Sequence, residues 1–236
     1  MNLPFFYTTT FSTGDEHIIL EEDTSSHIIQ VLRMKPGEEL LLTDGYGNLL
    51  TTKIINAHKK AAEVKLLSSK RLPPSSKKIS IAISLIKNAS RFEWFLEKAT
   101  EIGVSEIIPL ICDRTEKQHF RLSRMKNILV SAMLQSRQAW LPVLHEPLPI
   151  VKCFTDFDPP VKLIAHCLPG EKNYINKVDK TFSDVLVLIG PEGDFTDNEI
   201  ALALQRDFLP VSLGETRLRT ETAGIVAVTL LNGLAG

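Results

Sequence analysis

"DVLVLIGPEGDFTDNEI" spans Asp184 to Ile200. The aliphatic run Val185–Ile189 reads as a strand buried on both faces, as in a parallel sheet. Gly190 and Gly193 then let the backbone turn sharply and approach a ligand closely. Thr196 and Glu199 have capping-box spacing and open a helix over 196–206. Strand, glycine loop and capped helix form the repeating unit of an α/β sheet.

The unit recurs on both sides. "KISIAISLI" (78–86) is a strand, and "SRFEWFLEKATEIG" (90–103) a helix with Phe92, Phe95, Leu96, Ala99 and Ile102 on one side. Ser90 and Glu93 have capping-box spacing, and Gly103 is a stop. "EIIPLIC" (106–112) is the next strand, and 121–138 a second helix with Met125, Ile128, Leu129 and Ala132 inward. "VKLIAHC" (161–167) and "FLPVSLG" (208–214) are further strands; a helix is expected within 171–180, and a last one opens near Thr220. Five strands alternating with five helices predict a parallel sheet covered on both faces.

The first 70 residues read differently. "EELLLTD" (38–44) and "NLLTTKIINA" (48–57) flank the turn "DGYG", and "AAEVKLLSS" follows the polar turn "HKK". One short helix is expected in 25–34, stopped by Pro36 and Gly37. Short strands around one helix predict a small barrel, joined to the second domain through "SSKRLPPSSKK" (68–78). The expected domains are therefore 1–70 and 71–236.

With 44% hydrophobic and 23% charged residues, the composition is that of a soluble globular protein. No apolar run is long enough to span a bilayer, no signal peptide is evident, and three cysteines form no CxxC pair; a reduced, cytoplasmic protein is expected. The net charge is −1, yet residues 51–91 hold ten Lys/Arg against Glu63 alone. Such a sector is either a solvated face or a nucleic-acid footprint, with Lys59, Lys60, Lys77 and Lys78 as candidate phosphate contacts. There is no G-x-G-x-x-G after a strand, no Walker A loop, no G-x-S-x-G and no metal-ligand spacing among the six histidines. Dehydrogenase, kinase, hydrolase and zinc-enzyme readings lose support, and no metal is expected.

Ligands of open parallel sheets bind beyond the carboxyl ends of the strands. Two unusual segments fall there: "GPEGDF" (190–195) and "LGETRLRTETAG" (213–224). In the second, Glu215, Arg217, Arg219 and Glu221 alternate between an apolar strand and a small-residue helix. They are either a self-neutralised surface set or groups aimed at a ligand. His166 ends another strand on the same edge.

"HIIQVLRMKPGEEL" (27–40), "RFEWFLEKATEIGVSEIIPLICDRTE" (91–116), "LQSRQAWLPVL" (134–144), "LIGPEGDFTDNEI" (188–200) and "LGETRLRTETAG" together resemble the ribosomal RNA small subunit methyltransferase E family, of the SPOUT class. The resemblance covers the whole chain. It implies a PUA-like N-terminal barrel, a C-terminal domain with a deep trefoil knot, S-adenosylmethionine held in the knot, a homodimer, and methylation of ring nitrogen 3 of one uridine in 16S rRNA of the small ribosomal subunit. By the same resemblance Gly190, Pro191, Glu192 and Gly193 form one cofactor loop, and Leu213, Gly214 and Leu218 supply backbone contacts to adenine. His166 and Leu168 mark an earlier cofactor-facing strand end, and Thr222 belongs to the terminal R-T-E-T motif with Arg219, Thr220 and Glu221. Arg33, Arg91, Lys98 and Arg114 match positions expected to contact RNA. Arg219 is the expected catalytic cation and Glu221 its orienting carboxylate or a proton acceptor. The chain departs from the family pattern at Asp194, where a second glycine is common, and at Thr216 and Arg217, where the cation has moved by one position. Two alternatives stand beside this reading: a related enzyme acting on another RNA target, and a non-catalytic RNA-binding or ribosome-assembly protein.

Overall fold

A computed structural model describes residues 3–116, 119–170, 172–178 and 181–233. The chain divides into two compact units, residues 1–74 with 133–141, and residues 75–132 with 142–236.

The N-terminal unit holds β1 (Phe5–Tyr7), β2 (His17–Ile19), α1 (Glu22–Ser26), β3 (Glu39–Thr43), β4 (Asn48–Asn56) and β5 (Glu63–Arg71). They form one sheet in the order β1-β3-β4-β5-β2, a half-closed barrel. In β4 the period-2 pattern is plain, with Leu50, Thr52 and Ile54 buried. They join Ile18, Leu20, Ile28, Leu40, Leu42 and Val64 in one core. The helix expected at 25–34 starts earlier, and over His27–Val31 it widens into a π-turn. Leu32 caps that turn, and Arg33 follows it with φ +56°. Strands β1 and β2 are three residues each, too short for an alternation signal. The segment 133–141 returns to this unit. Leu141 N donates to Gly45 O at 2.9 Å, Gly47 N to Ala139 O at 2.9 Å, and Trp140 Nε1 to Leu72 O at 3.2 Å. Gly47 has φ +88°, and a Cβ there would stand 2.5 Å from the Trp140 ring. Glycine is required on both counts.

The C-terminal unit carries β6 (Lys78–Ser84), α2 (Ala89–Ile102), β7 (Glu106–Ile111), α3 (Leu122–Gln135), β8 (Val143–Leu144), β9 (Leu148–Pro149), α4 (Ile150–Asp156), β10 (Val161–Ala165), β11 (Asn173–Tyr174), β12 (Asp184–Ile189), α5 (Asp197–Leu204), β13 (Leu209–Ser212) and α6 (Thr220–Gly233), the end of α3 belonging to the returning segment. The sheet order is β11-β13-β10-β12-β6-β7-β8, with β9 also on β7, and every pairing is parallel. Three two-residue strands thus extend the five that were expected. Leu186 and Leu188 join Phe154, Ile200, Ala203 and Phe208 on the face under α4 and α5. Val185, Val187 and Ile189 are buried outside that cluster, so both faces are covered. Each such aliphatic side chain contributes about 1.5–3 kcal/mol of burial. On β6, α6 packs close beside α2: a Cβ at Gly224 would stand 2.6 Å from Phe95 and 2.9 Å from Ile83.

Two local expectations are corrected. The cap of α2 is Asn88, whose side chain accepts from Ser90 N, while Glu93 pairs with Arg124 instead of closing a box on Ser90. The helix expected in 171–180 is β11 followed by a single 3₁₀ turn, Ile175–Lys177; residues 171, 179 and 180 lie outside the described residues. The Thr196–Glu199 capping box on α5 is present in both directions.

Candidate active site

A cleft of about 530 Å³ opens at the carboxyl ends of β10, β12 and β13. Its walls are Ala165–Cys167 with Lys172, Ile189–Glu192 with Asp194, and Val211–Thr220 with Ala223. Its size suits a small-molecule cofactor, and its place is where parallel sheets bind ligands.

Each wall is held by hydrogen bonds that its own sequence supplies. Gly190 follows β12, and a Cβ there would stand 3.1 Å from the Phe195 ring, so the loop folds back tightly on itself. Thr220 Oγ1 donates to Gly190 O at 3.0 Å, tying the start of α6 to that loop. Arg114 Nη1 donates to Gly193 O at 2.8 Å and to Phe195 O at 3.3 Å, bracing the loop from outside the cleft. Asp194 occupies a left-handed conformation, φ +66°, which an aspartate adopts more readily than most residues. Its Oδ1 accepts from Phe195 N at 2.8 Å and its Oδ2 from Cys167 N at 2.7 Å. One carboxylate therefore links the loop after β12 to the loop after β10.

His166 lies just past β10. Its carbonyl accepts from Lys172 Nζ at 2.7 Å, and its Nδ1 is buried without a partner among the described residues. Burial, with Lys172 nearby, lowers the imidazole's pKa against the opposing pull of Asp194, so the ring is neutral at pH 7. An orphaned ring nitrogen beside a cleft of this size fits a bound polar cofactor.

The structure brings His166, Gly190, Pro191, Glu192, Leu213, Gly214, Leu218 and Arg219 to the cleft. Leu168, Gly193, Thr222 and Glu221 do not line it. Leu168 is exposed, and Gly193 touches Arg114. Asp194 and Lys172 line the cleft without having been singled out as binding residues. Asp194 was marked only by its departure from the family's glycine; Lys172 had no signal in the sequence.

Glu215, Arg217 and Arg219 are exposed on the cleft wall, with no ion pair among the described residues. The alternating charges do not neutralise one another. Glu221 is buried, and its Oε1 faces Arg91 Nε at 3.7 Å instead of Arg219. Glu192 Oε1 lies 3.6 Å from Arg91 Nη1. Arg91 thus stands between two carboxylates from different motifs.

The other candidate RNA contacts differ in freedom. Arg33 and Lys59 are exposed, and Lys60 is paired at 3.3 Å with exposed Glu22. Lys77 lies over the Phe182 ring, 4.8 Å from its centroid. Lys78 is committed to Glu106 at 2.8 Å and Asp184 at 3.8 Å, and Lys98 to Glu97 and Glu101 at 2.7 and 2.9 Å. Among the described residues no group of three or more His, Cys, Asp and Glu could hold a metal, and no helix is long and apolar enough to cross a membrane.

Residues 73–232 match the family model of an RNA methyltransferase domain, and residues 20–67 that of an RNA methyltransferase PUA domain. The ribosomal RNA small subunit methyltransferase E of Synechocystis sp. is 31% identical over 96% of this chain and 73% of its own length. The chain belongs to this RNA methyltransferase family. A probable rRNA-methyltransferase from Porphyromonas gingivalis superposes with a TM-score of 0.92 at 38% identity, over 98% of both chains. The ribosomal RNA small subunit methyltransferase E of Neisseria gonorrhoeae, solved bound to S-adenosyl methionine, superposes with a TM-score of 0.88 at 27% identity, over 99% of this chain and 98% of its own. The methyltransferase family shares its SPOUT-type α/β architecture and PUA unit with this chain.

Proposed function

We propose that this RNA methyltransferase transfers the methyl group of S-adenosylmethionine to ring nitrogen 3 of one uridine in 16S rRNA. The observation that carries the reading is the cleft itself: two loops of the family's motifs, 190–194 and 213–219, converge at the carboxyl edge of the sheet. The cofactor supplies an electrophilic methyl group. The backbones of Leu213, Gly214 and Leu218 hold its adenine, and Gly190, Pro191 and Glu192, with His166, close the remaining walls.

Uridine nitrogen 3 carries a proton and is a weak acid. The base must lose that proton, to water, as nitrogen 3 takes the methyl group and S-adenosylhomocysteine leaves, and the anion's charge spreads onto the two carbonyl oxygens of the base. Arg219, exposed at the cleft and without an ion pair among the described residues, is placed to face that charge. Glu221 serves as a positioning residue for Arg91. Most of the rate comes from holding the two substrates in line. Nitrogen 3 sits on the pairing edge, so the target uridine is unpaired or splayed out.

In this reading residues 1–70 bind RNA and residues 71–236 carry the chemistry. For a trefoil knot the support is the strand order β13-β10-β12, which sets the earlier β10 between two later strands, with the loops after all three lining the cleft. A homodimer is supported by half-exposed Ile225, Val226 and Leu230 on α6. The small ribosomal subunit as partner makes the cytoplasm the place of action. Mass spectrometry of 16S rRNA from cells with and without the protein tests the reaction: 3-methyluridine is lost in its absence. Unchanged 3-methyluridine with another methylated nucleoside missing would move the activity to a different target.

A further inference from the structure

A second depression, about 700 Å³, lies on the C-terminal unit past the carboxyl end of β6, where α2 begins. Lys87, Asn88, Arg91, His119 and Glu192 line it. Glu192 also borders the first cleft, so the two are neighbours. Two cationic side chains, Lys87 and Arg91, gather here at the N-terminus of a 14-residue helix whose dipole adds to them, and His119 stands beside them, its Nε2 accepting from Arg121 Nε at 3.1 Å. Among the described residues Lys87 pairs with the exposed Glu116 alone, at 2.6 Å. Arg91 approaches its two carboxylates at 3.6 and 3.7 Å, beyond hydrogen-bonding distance, and its guanidinium has no hydrogen bond among the described residues. Glu221 Oε2 is buried with no hydrogen-bond partner among the described residues. An arginine whose donors are unfilled, beside an open depression, suits a bidentate anion better than a structural pair.

We propose that this depression seats a phosphate of the RNA strand adjacent to the target uridine, held by Arg91 and Lys87 with His119 beside them. Glu221 keeps Arg91 in place from the buried side. The seat rests on the methyl-transfer reading above and deepens it: a phosphate gripped here directs its nucleotide past Glu192 toward the cofactor cleft. Backbone contacts of this kind fix register, while the cleft reads the base.

The test uses the full-length protein and a short RNA containing the target uridine, with binding read by fluorescence anisotropy. Lys87→Ala and His119→Ala are compared with the unaltered protein. Each phosphodiester flanking the uridine is replaced in turn by an uncharged methylphosphonate. Lys87→Ala is expected to weaken RNA binding about tenfold, the worth of one charge-assisted contact, and His119→Ala by less. The Lys87→Ala log–log salt slope should fall by about 0.7, as for one lost phosphate contact on a single strand. At one linkage the losses from variant and methylphosphonate should not add. S-adenosylmethionine affinity, measured by calorimetry, should be unchanged. Full additivity at every linkage overturns the proposal. So does a matching fall in cofactor affinity, which would give the depression to the cofactor's own carboxylate. Binding is read without turnover, so absent methyl transfer by the unaltered protein would refute the reaction proposed above and leave this result standing.

Discussion

Arg219 and Glu221 are two residues apart and have different surroundings: one is exposed on the cleft wall, the other buried behind Arg91. Arg219→Ala should therefore leave cofactor and RNA affinities near their starting values and lower kcat by about 10²–10³, the cost of removing one donor to a developing anion. Full turnover would end its catalytic role. Asp194 permits a finer experiment. Asp194→Gly relieves any cost of the left-handed backbone but cuts the bond to Cys167 N, so fold stability should hold while S-adenosylmethionine binding weakens in calorimetry. Asp194→Ala should lose both, with about 1–2 kcal/mol of unfolding free energy forfeited to the strained φ. The sequence marks Asp194 as a departure, but only the fold connects it to Cys167, because a contact across 27 residues leaves no local pattern.

At the scale of elements, the glycine in "TAGIVAV" sets how closely α6 lies to α2. Gly224→Val must push against the Phe95 ring and Ile83, so urea denaturation should report a loss of about 1–3 kcal/mol or more. A neutral outcome would mean that α6 can slide outward. The long elements were legible because periodicity and punctuation agreed: in α5 the capping box, the apolar face and the preceding glycine loop all indicated one helix. The misreadings have physical causes. Ser90 and Glu93 had capping-box spacing, but Asn88, an equally good cap, lies two residues upstream and starts the helix first. The strands β8, β9 and β11 are two residues long, and only their neighbours in the sheet make them strands. The cleft's edge could be anticipated from strand polarity; the pairing of Glu221 with Arg91 could not, since it depends on how α2 and α6 pack.

Across the whole molecule, charge has been divided between contact and architecture. Lys78, Glu106 and Asp184 are the first residues of three neighbouring strands, at the opposite edge from the cleft. Burial pushes the Glu106 carboxyl up, but hydrogen bonds from Lys78, Ser80 and His145 outweigh it and hold the group below its ordinary 4.5. Its stabilisation is thus complete above pH 4.5 and is lost as pH falls through the lower folded-state value. Asp184, raised by burial and by Glu106 against the pull of Lys78, acts in the opposite sense. Glu106→Gln should flatten the acid limb of a stability–pH curve and also relieve Asp184; an unchanged limb would remove Glu106 as its source. The same pairing separates the basic sector into two kinds of lysine. Reversing charge at Lys59 and Lys60 should weaken RNA binding and reduce its salt dependence with the melting temperature kept. Reversing Lys78 should instead lower the melting temperature, because buried Glu106 loses its cation.

The return of residues 133–141 to the N-terminal unit bears on heredity as much as on packing. Gly47 leaves room for Trp140, which lies 93 positions later in the chain. A gene fragment ending at codon 74 would encode the β-strands of that unit without the tryptophan that occupies its hairpin. The unit is one body in space and two pieces in the message. A single breakpoint that keeps both pieces must fall after residue 141, and it then carries residues 75–132 of the other unit along.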